Sequence, residues 1–212
     1  KISKIRNECL NTQIIEDITH VLFDFEKIYS DKVDYYIGSI RKWFGIVDGA
    51  LMISNKKNLP KIFYKNTDFT KFRRQALKYN EEYNYLKLAS KKDKLRRLFL
   101  KAENSLDDGE NPILISPDSM KLLENLNCSV IKKRRKWNAE TLLNLLKTIP
   151  DIKFPINIDK ILKITPFSIP ILVKNRDDFQ NKLAEKGIYS SVLWPLSDSA
   201  RKKSPFAYEM EN

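Results

Sequence analysis

Asp17, His20, Ser39 and Lys42 are the residues of this 212-residue chain whose types and spacing could support covalent chemistry. Gln13-Ile-Ile-Glu-Asp-Ile-Thr-His20 reads as a buried strand whose last residues carry Asp17 and the single histidine of the chain. A second strand-like run, Tyr35 to Gly38, leads into Ser39 and Lys42; a Gly45/Gly49 turn and a third run, Ala50 to Ser54, follow at once. This order places Lys42 on a turn between two buried strands, among aromatic residues and few acids. Desolvation there disfavours the ammonium form, the condition a Schiff-base lysine needs. A carboxylate ending one strand and a lysine following the next suit a pyridoxal phosphate pocket. In such a pocket an acid pairs with the pyridinium nitrogen and a lysine forms the imine.

Each residue alone also has a plainer reading. Asp17 can cap a turn after a strand, and His20 can be a satisfied, partly buried histidine. Ser39 alone carries no information, and the Lys42 stem can pack on the ring of Trp43. The functional reading rests on the order strand, Asp, strand, Ser, Lys, Gly, strand.

Ile15-Glu16-Asp17-Ile18-Thr19-His20, with Gly38-Ser39-Ile40-Arg41-Lys42-Trp43-Phe44-Gly45 and Asp48-Gly49-Ala50, resembles the fold-type I aminotransferases. The nearest branch is the DegT-type enzymes, which aminate keto-sugars on nucleotide carriers. The resemblance implies that Asp17 binds the pyridine nitrogen, that Lys42 is the Schiff-base lysine and that Ser39 holds the cofactor phosphate. His20 stands beside the phenolic oxygen, where the family usually has glutamine. Gly49-Ala50 replaces the usual Gly-Gly. The family works as homodimers with shared sites, so the implied partners are a second subunit, a small-molecule amino donor and a keto-sugar substrate. The implied fold is α/β: residues 1–66 as the last three strands of the cofactor-binding large domain, 67–110 as a long interdomain helix, and 111–212 as a small α+β domain, shortened at its end. The upstream strands and glycine-containing phosphate loop of the family have no counterpart here. A fragment of a longer protein, or a shortened relative without catalysis, is the corresponding expectation.

The elements that must position these residues are legible to different degrees. Ile2, Ile5 and Leu10 give a loose helical stripe ahead of the first strand, and Val21 to Ser30 is a short apolar connection. From Thr67 or Asp68, a good N-cap, Phe69, Phe72, Ala76, Tyr79, Tyr83 and Leu86 share one helical face. Leu95, Phe99, Ala102 and Leu106 continue that face after a polar stretch at Ser90 to Asp93, where a break is expected, and Asp107 to Pro112 ends it. The resemblance makes this a rod between domains. Ser116-Pro117-Asp118 opens another helix, with Pro117 at a position that tolerates its missing N–H. A further helix, from about Val130 to Ile149, carries Arg135, Asn138 and Leu142, a pattern similar to the family's small-domain helix. Phe167 to Val173 reads as a strand at an edge or bulge because of Pro170. Asn175 or Asp177 caps a helix ended by Gly187, and Ile188 to Pro195 reads as a returning strand. Its Trp194 either packs in a core or, on the resemblance, approaches substrate.

Composition bounds the alternatives. The chain is long enough to bury a core, and no apolar run has the length needed to cross a membrane. Cys9 and Cys128 are too few for a disulfide framework and lack metal-ligand spacing, so no metal and a reducing, cytoplasmic setting are expected. The net charge of +12 supports a competing reading, a non-enzymatic basic protein that binds nucleic acid or another polyanion. Lys91 to Arg97 and Lys132 to Lys136 supply its densest runs. Those lysines accompany many Asn and Ile, and zinc-finger, helix-turn-helix and RNP-type patterns are absent. Solvated surface is therefore the expected role of the runs.

Overall fold

The computed structural model describes residues 2–56, 58–65, 67–86, 92–107, 111–192 and 197–204. The chain divides into two compact units, Lys1–Cys128 and Ser129–Asn212.

The first unit holds a three-stranded sheet of mixed direction, which makes the chain α/β. Strand β1 (Ile15–Asp17) runs parallel to β2 (Tyr35–Ser39), and β2 pairs antiparallel with β3 (Ala50–Ser54), in the order β1-β2-β3. Ile18, Val33 and Tyr36 are fully buried on one face of this sheet. Helix α1 (Ile2–Glu8) contributes Ile2 to that core, and the 3-10 segment Thr19–Lys27 contributes Val21, Leu22 and Phe25. The opposite face carries Ile15, Ile37 and Met52, all exposed. The expected buried strand over residues 13–20 is thus corrected: β1 is three residues long and lies at the edge, with Ile15 and Asp17 facing outward. Its continuation turns into 3-10 helix because Thr19 donates its N–H to the Asp17 carboxylate at 2.8 Å, an Asx turn that diverts the chain.

Asp34 ties this unit's N-terminus to the sheet. Its buried carboxylate accepts from the Ile14 amide at 2.7 Å and pairs with Arg6 at 2.5 Å and Lys56 at 3.1 Å.

The long helix expected from residue 67 is two helices, α2 (Thr67–Leu86) and α3 (Lys92–Asp107). They pack side by side as an antiparallel hairpin instead of forming a rod. Arg73 lies 4.9 Å from the centre of the Phe99 ring, Lys101 lies 5.8 Å from that of Phe72, and Lys94 bonds to Tyr79. Phe69, Ala76 and Ala102, assigned to the apolar stripe from spacing, are buried. The physical reason is that one stripe needs a partner face, and the second half of the same stripe supplies it once the chain reverses.

Helix α4 (Pro117–Glu124) begins as expected, with Ser116 as N-cap and Pro117 in the first turn. Asp48, buried, accepts from the Ser116 amide at 2.9 Å and from its hydroxyl at 2.7 Å, and the Asp48 N–H donates to buried Ser119 Oγ at 3.3 Å. These bonds fasten α4 to the loop between β2 and β3.

The second unit is built on α5 (Cys128–Leu146), whose Ala139 and Leu143 are buried, together with α6 (Ile158–Leu162), α7 (Arg176–Glu185) and α8 (Asp198–Lys203). The α+β expectation is corrected here. Among the described residues the unit's only strand pairing is a single antiparallel bridge, Lys153 to Leu172. Pro170 removes a donor that a strand over 167–173 would need. Residues 188–192 form no strand, and Trp194 and Pro195 lie outside the described residues. Gly187 does end α7 at φ +79°. Its N–H bonds to the Ala184 carbonyl and that of Ile188 to the Leu183 carbonyl, a Schellman closure. Asn175 precedes α7 in a left-handed conformation without a side-chain cap bond.

Candidate active site

The parallel pairing of β1 with β2 brings their carboxyl ends to the same edge of the sheet. Asp17 pairs across from Ile37, and Ser39 lies two residues further along β2. Strand alternation therefore directs the Asp17 and Ser39 side chains to the same, open face. The carboxyl ends of parallel strands are the usual place for ligands in α/β sheets.

Thr19 organises this corner, and sequence reasoning missed it. Its amide donates to Asp17 Oδ1, its hydroxyl oxygen accepts the Ser39 N–H at 3.0 Å, and its carbonyl accepts the indole N–H of Trp43. The only sequence signal was its position two residues after an aspartate, where an Asx turn forms. The Asp17 carboxyl is held below its usual value chiefly by the Thr19 side chain, then by the Thr19 amide. The charges of Lys42 and His20 act in the same direction. Asp17 thus feels the charges of Lys42 and His20, and the Ser39 amide is bonded to the same Thr19 that holds Asp17.

Lys42 ends a 3-10 turn, Ile40–Lys42, that follows β2 directly. The expected desolvated setting is corrected: Lys42 is exposed. The interior beneath the turn is filled by Trp43, Ile46 and Val47, all buried, with Phe23 edge-on to Trp43 at 4.9 Å. A tryptophan indole buries far more apolar surface than a lysine stem, so packing turns Trp43 inward and leaves Lys42 outward. The turn itself is pinned. The amides of Ile40 and Arg41 both donate to the Gly49 carbonyl, at 3.0 and 3.2 Å. Gly49 adopts φ +137°, where a Cβ would meet Ile115 at 3.1 Å, so glycine is required.

Arg41 adds a second restraint. Its guanidinium forms a bidentate pair with Glu103 of α3 at 3.0 and 2.9 Å and lies 5.8 Å from the Phe69 ring centre. Arg73 of α2 approaches the same carboxylate at 3.7 Å and donates to the Val47 carbonyl at 3.3 Å. The residue before Lys42 is thereby fixed to the helical hairpin.

His20 is half-buried beside Asp17, and Ser39, also half-buried, has its amide engaged by Thr19. Among the described residues no group of three or more His, Cys, Asp or Glu is arranged to hold a metal ion, and no helix is long and apolar enough to cross a membrane. No protein-family model, curated protein or solved structure matches this chain.

Proposed function

We propose that this chain carries the lysine and carboxylate of a pyridoxal-phosphate-dependent aminotransferase site acting on nucleotide-linked keto-sugars. One observation carries the reading: Asp17, kept ionised by Thr19, lies at the carboxyl end of the parallel strand pair, near enough to the Lys42 charge to be stabilised by it. The chemistry of the donor set fits the cofactor. An anion that resists protonation is what a pyridinium nitrogen requires, and an accessible primary amine is what an aldehyde requires.

When bound, pyridoxal phosphate supplies an electron-withdrawing ring that accepts electrons from the substrate's amine-bearing carbon. Asp17 would hold the proton on the ring nitrogen. The Lys42 amine would tether the aldehyde and take the proton from that carbon. The Ser39 hydroxyl would donate to phosphate, and His20 would flank the phenolic oxygen. The keto-sugar preference, the amino donor and a homodimeric assembly come from the resemblance in the Asp17–His20 and Gly38–Ala50 segments.

Incubation of the chain with pyridoxal phosphate, reduction by borohydride and peptide mapping test the assignment. A pyridoxyl label concentrated on Lys42 is expected. A label spread over other lysines, or none, overturns it.

A further inference from the structure

Helix α5 is apolar on two opposite faces, and the fold buries one of them. Ala139 and Leu143, one helical turn apart, are buried. Val130, Arg134, Trp137, Thr141 and Leu145 recur at helical spacing on the opposite face. Val130, Trp137 and Leu145 are each more than half exposed. Thr141, between Trp137 and Leu145, donates its hydroxyl to the Trp137 carbonyl at 2.9 Å, so its polarity is satisfied within the helix. A tryptophan exposed in line with aliphatic side chains marks an interaction surface.

The charge on this face has one sign. Arg134 lies 5.5 Å from the centre of the Trp137 ring, and Lys133 is its neighbour in sequence. Both cations are exposed, and among the described residues no acid pairs with either. The whole helix carries cations at every position from Lys132 to Lys136 against a single acid, Glu140. A partner of this face must therefore be negative and must also accept a row of apolar side chains. Nucleic acid meets the first demand only, since aliphatic side chains neither stack on bases nor bind phosphate. A helical peptide needs a groove. The α5 residues that line the pocket against Pro166–Ile169 are Arg135, Asn138, Ala139 and Leu142, none of them in the exposed row. An anionic bilayer meets both demands. Its headgroups attract lysine and arginine, its interface takes the indole, and the edge of its acyl region takes aliphatic side chains.

We propose that the outer face of α5 docks on an anionic membrane surface. The helix lies along the surface, with Val130, Trp137 and Leu145 in the interface and Lys133 and Arg134 among the lipid headgroups. The proposal does not rest on the aminotransferase reading.

Co-sedimentation of the full chain with vesicles tests the surface, using phosphatidylcholine alone or with phosphatidylserine in about a 7:3 ratio. Saturable binding to the anionic vesicles is expected, at least about tenfold tighter than to the neutral ones. A chain of net charge +12 can adhere to anionic lipid through any face, so the decisive variants hold charge constant or match its loss elsewhere. Trp137→Ser combined with Leu145→Ser, both at exposed positions, should weaken binding at least about tenfold. Lys133→Gln combined with Arg134→Gln should weaken it about 25-fold, at roughly fivefold per cation beside the surface. Neutralising the exposed Lys61 and Lys65 of the first unit in the same way should cost less than about threefold. The proposal is overturned by a lack of saturable binding or by equal binding to neutral vesicles. It is overturned equally if the serine variant binds as the parent does, or if the Lys61 and Lys65 changes cost as much as those in α5. Tighter binding of a single-stranded oligonucleotide or of polyglutamate than of vesicles, with the same dependence on Trp137, would also overturn it.

Discussion

Asp17 fulfils the plain reading of its position, and the functional reading builds on it. It closes an Asx turn with Thr19, and that same bond is a cause of its lowered pKa. A carboxylate stabilised in this way is already ionised well below neutrality, so a ligand's positive ring nitrogen meets a preformed charge. Asp17→Asn keeps the turn-forming side chain while removing the charge. Loss of the electrostatic partner should lower transamination on the order of a hundredfold or more, with the circular dichroism spectrum unchanged. Equal turnover in the variant would reduce Asp17 to a turn residue. Lys42 is reached by a different route from the one its neighbours in sequence imply. It is accessible because Trp43 fills the interior, so under the proposed function its reactivity would draw on Asp17 and the cofactor instead of on burial.

Helix α3 owes its place beside the site to a shared carboxylate. Glu103 faces Arg41 and Arg73 together, and the two guanidiniums repel one another, one cause of the depressed Arg73 pKa after burial. Removing the acid leaves two partly buried cations without their common partner. Glu103→Gln should therefore cost about 1–3 kcal/mol, in the range of hydrogen bonds to charged groups. Urea unfolding at low and high salt provides the check. The loss should shrink at high salt, where the repulsion between the arginines is screened. A loss independent of salt would show that packing, not charge, holds the hairpin to the 3-10 turn.

For the molecule as a whole, two charge effects make opposite demands. Asp34 has a folded-state pKa of about 2 against an ordinary 3.8, set first by the Ile14 amide, then by Arg6 and Lys56. A depressed carboxylate contributes stability that is complete above its unfolded value and lost as pH falls through the folded one. Acid unfolding of the first unit should thus steepen as pH drops from 3.8 toward 2. Asp34→Asn should be less stable at neutral pH and lack that steepening, as thermal melts across the range would reveal. The net charge of +12 acts more diffusely. Lys133 and Arg134 are exposed, and Arg134 lies 5.5 Å from the Trp137 ring centre on the surface of α5. Binding to duplex or single-stranded DNA at physiological salt should stay in the non-specific range, weaker than about 10⁻⁶ M. Replacing Lys132, Lys133 and Arg134 with Gln should leave labelling of Lys42 unaltered. A tight, steeply salt-dependent complex abolished by those changes would favour a polyanion-binding protein.

Local signals were enough for the elements whose ends are written in single residues. Ser116-Pro117 determined the start of α4 and Gly187 the end of α7. The periodicity from Phe69 to Leu106 likewise determined which face of α2 and α3 is apolar. It could not determine what that face packs against, because a stripe records the need for burial and not the partner. Only the tertiary structure decided that the chain reverses, so that Arg73 meets Phe99 and Glu103. The same limit applies to Lys42. Whether lysine or tryptophan occupies the interior depends on the volume left by Phe23, Ile46 and Val47, which no spacing rule records. Residues 167–173 show the converse: their apolar run has the composition of a strand, but Pro170 withholds a donor a ladder needs, and among the described residues a single bridge, Lys153 to Leu172, forms.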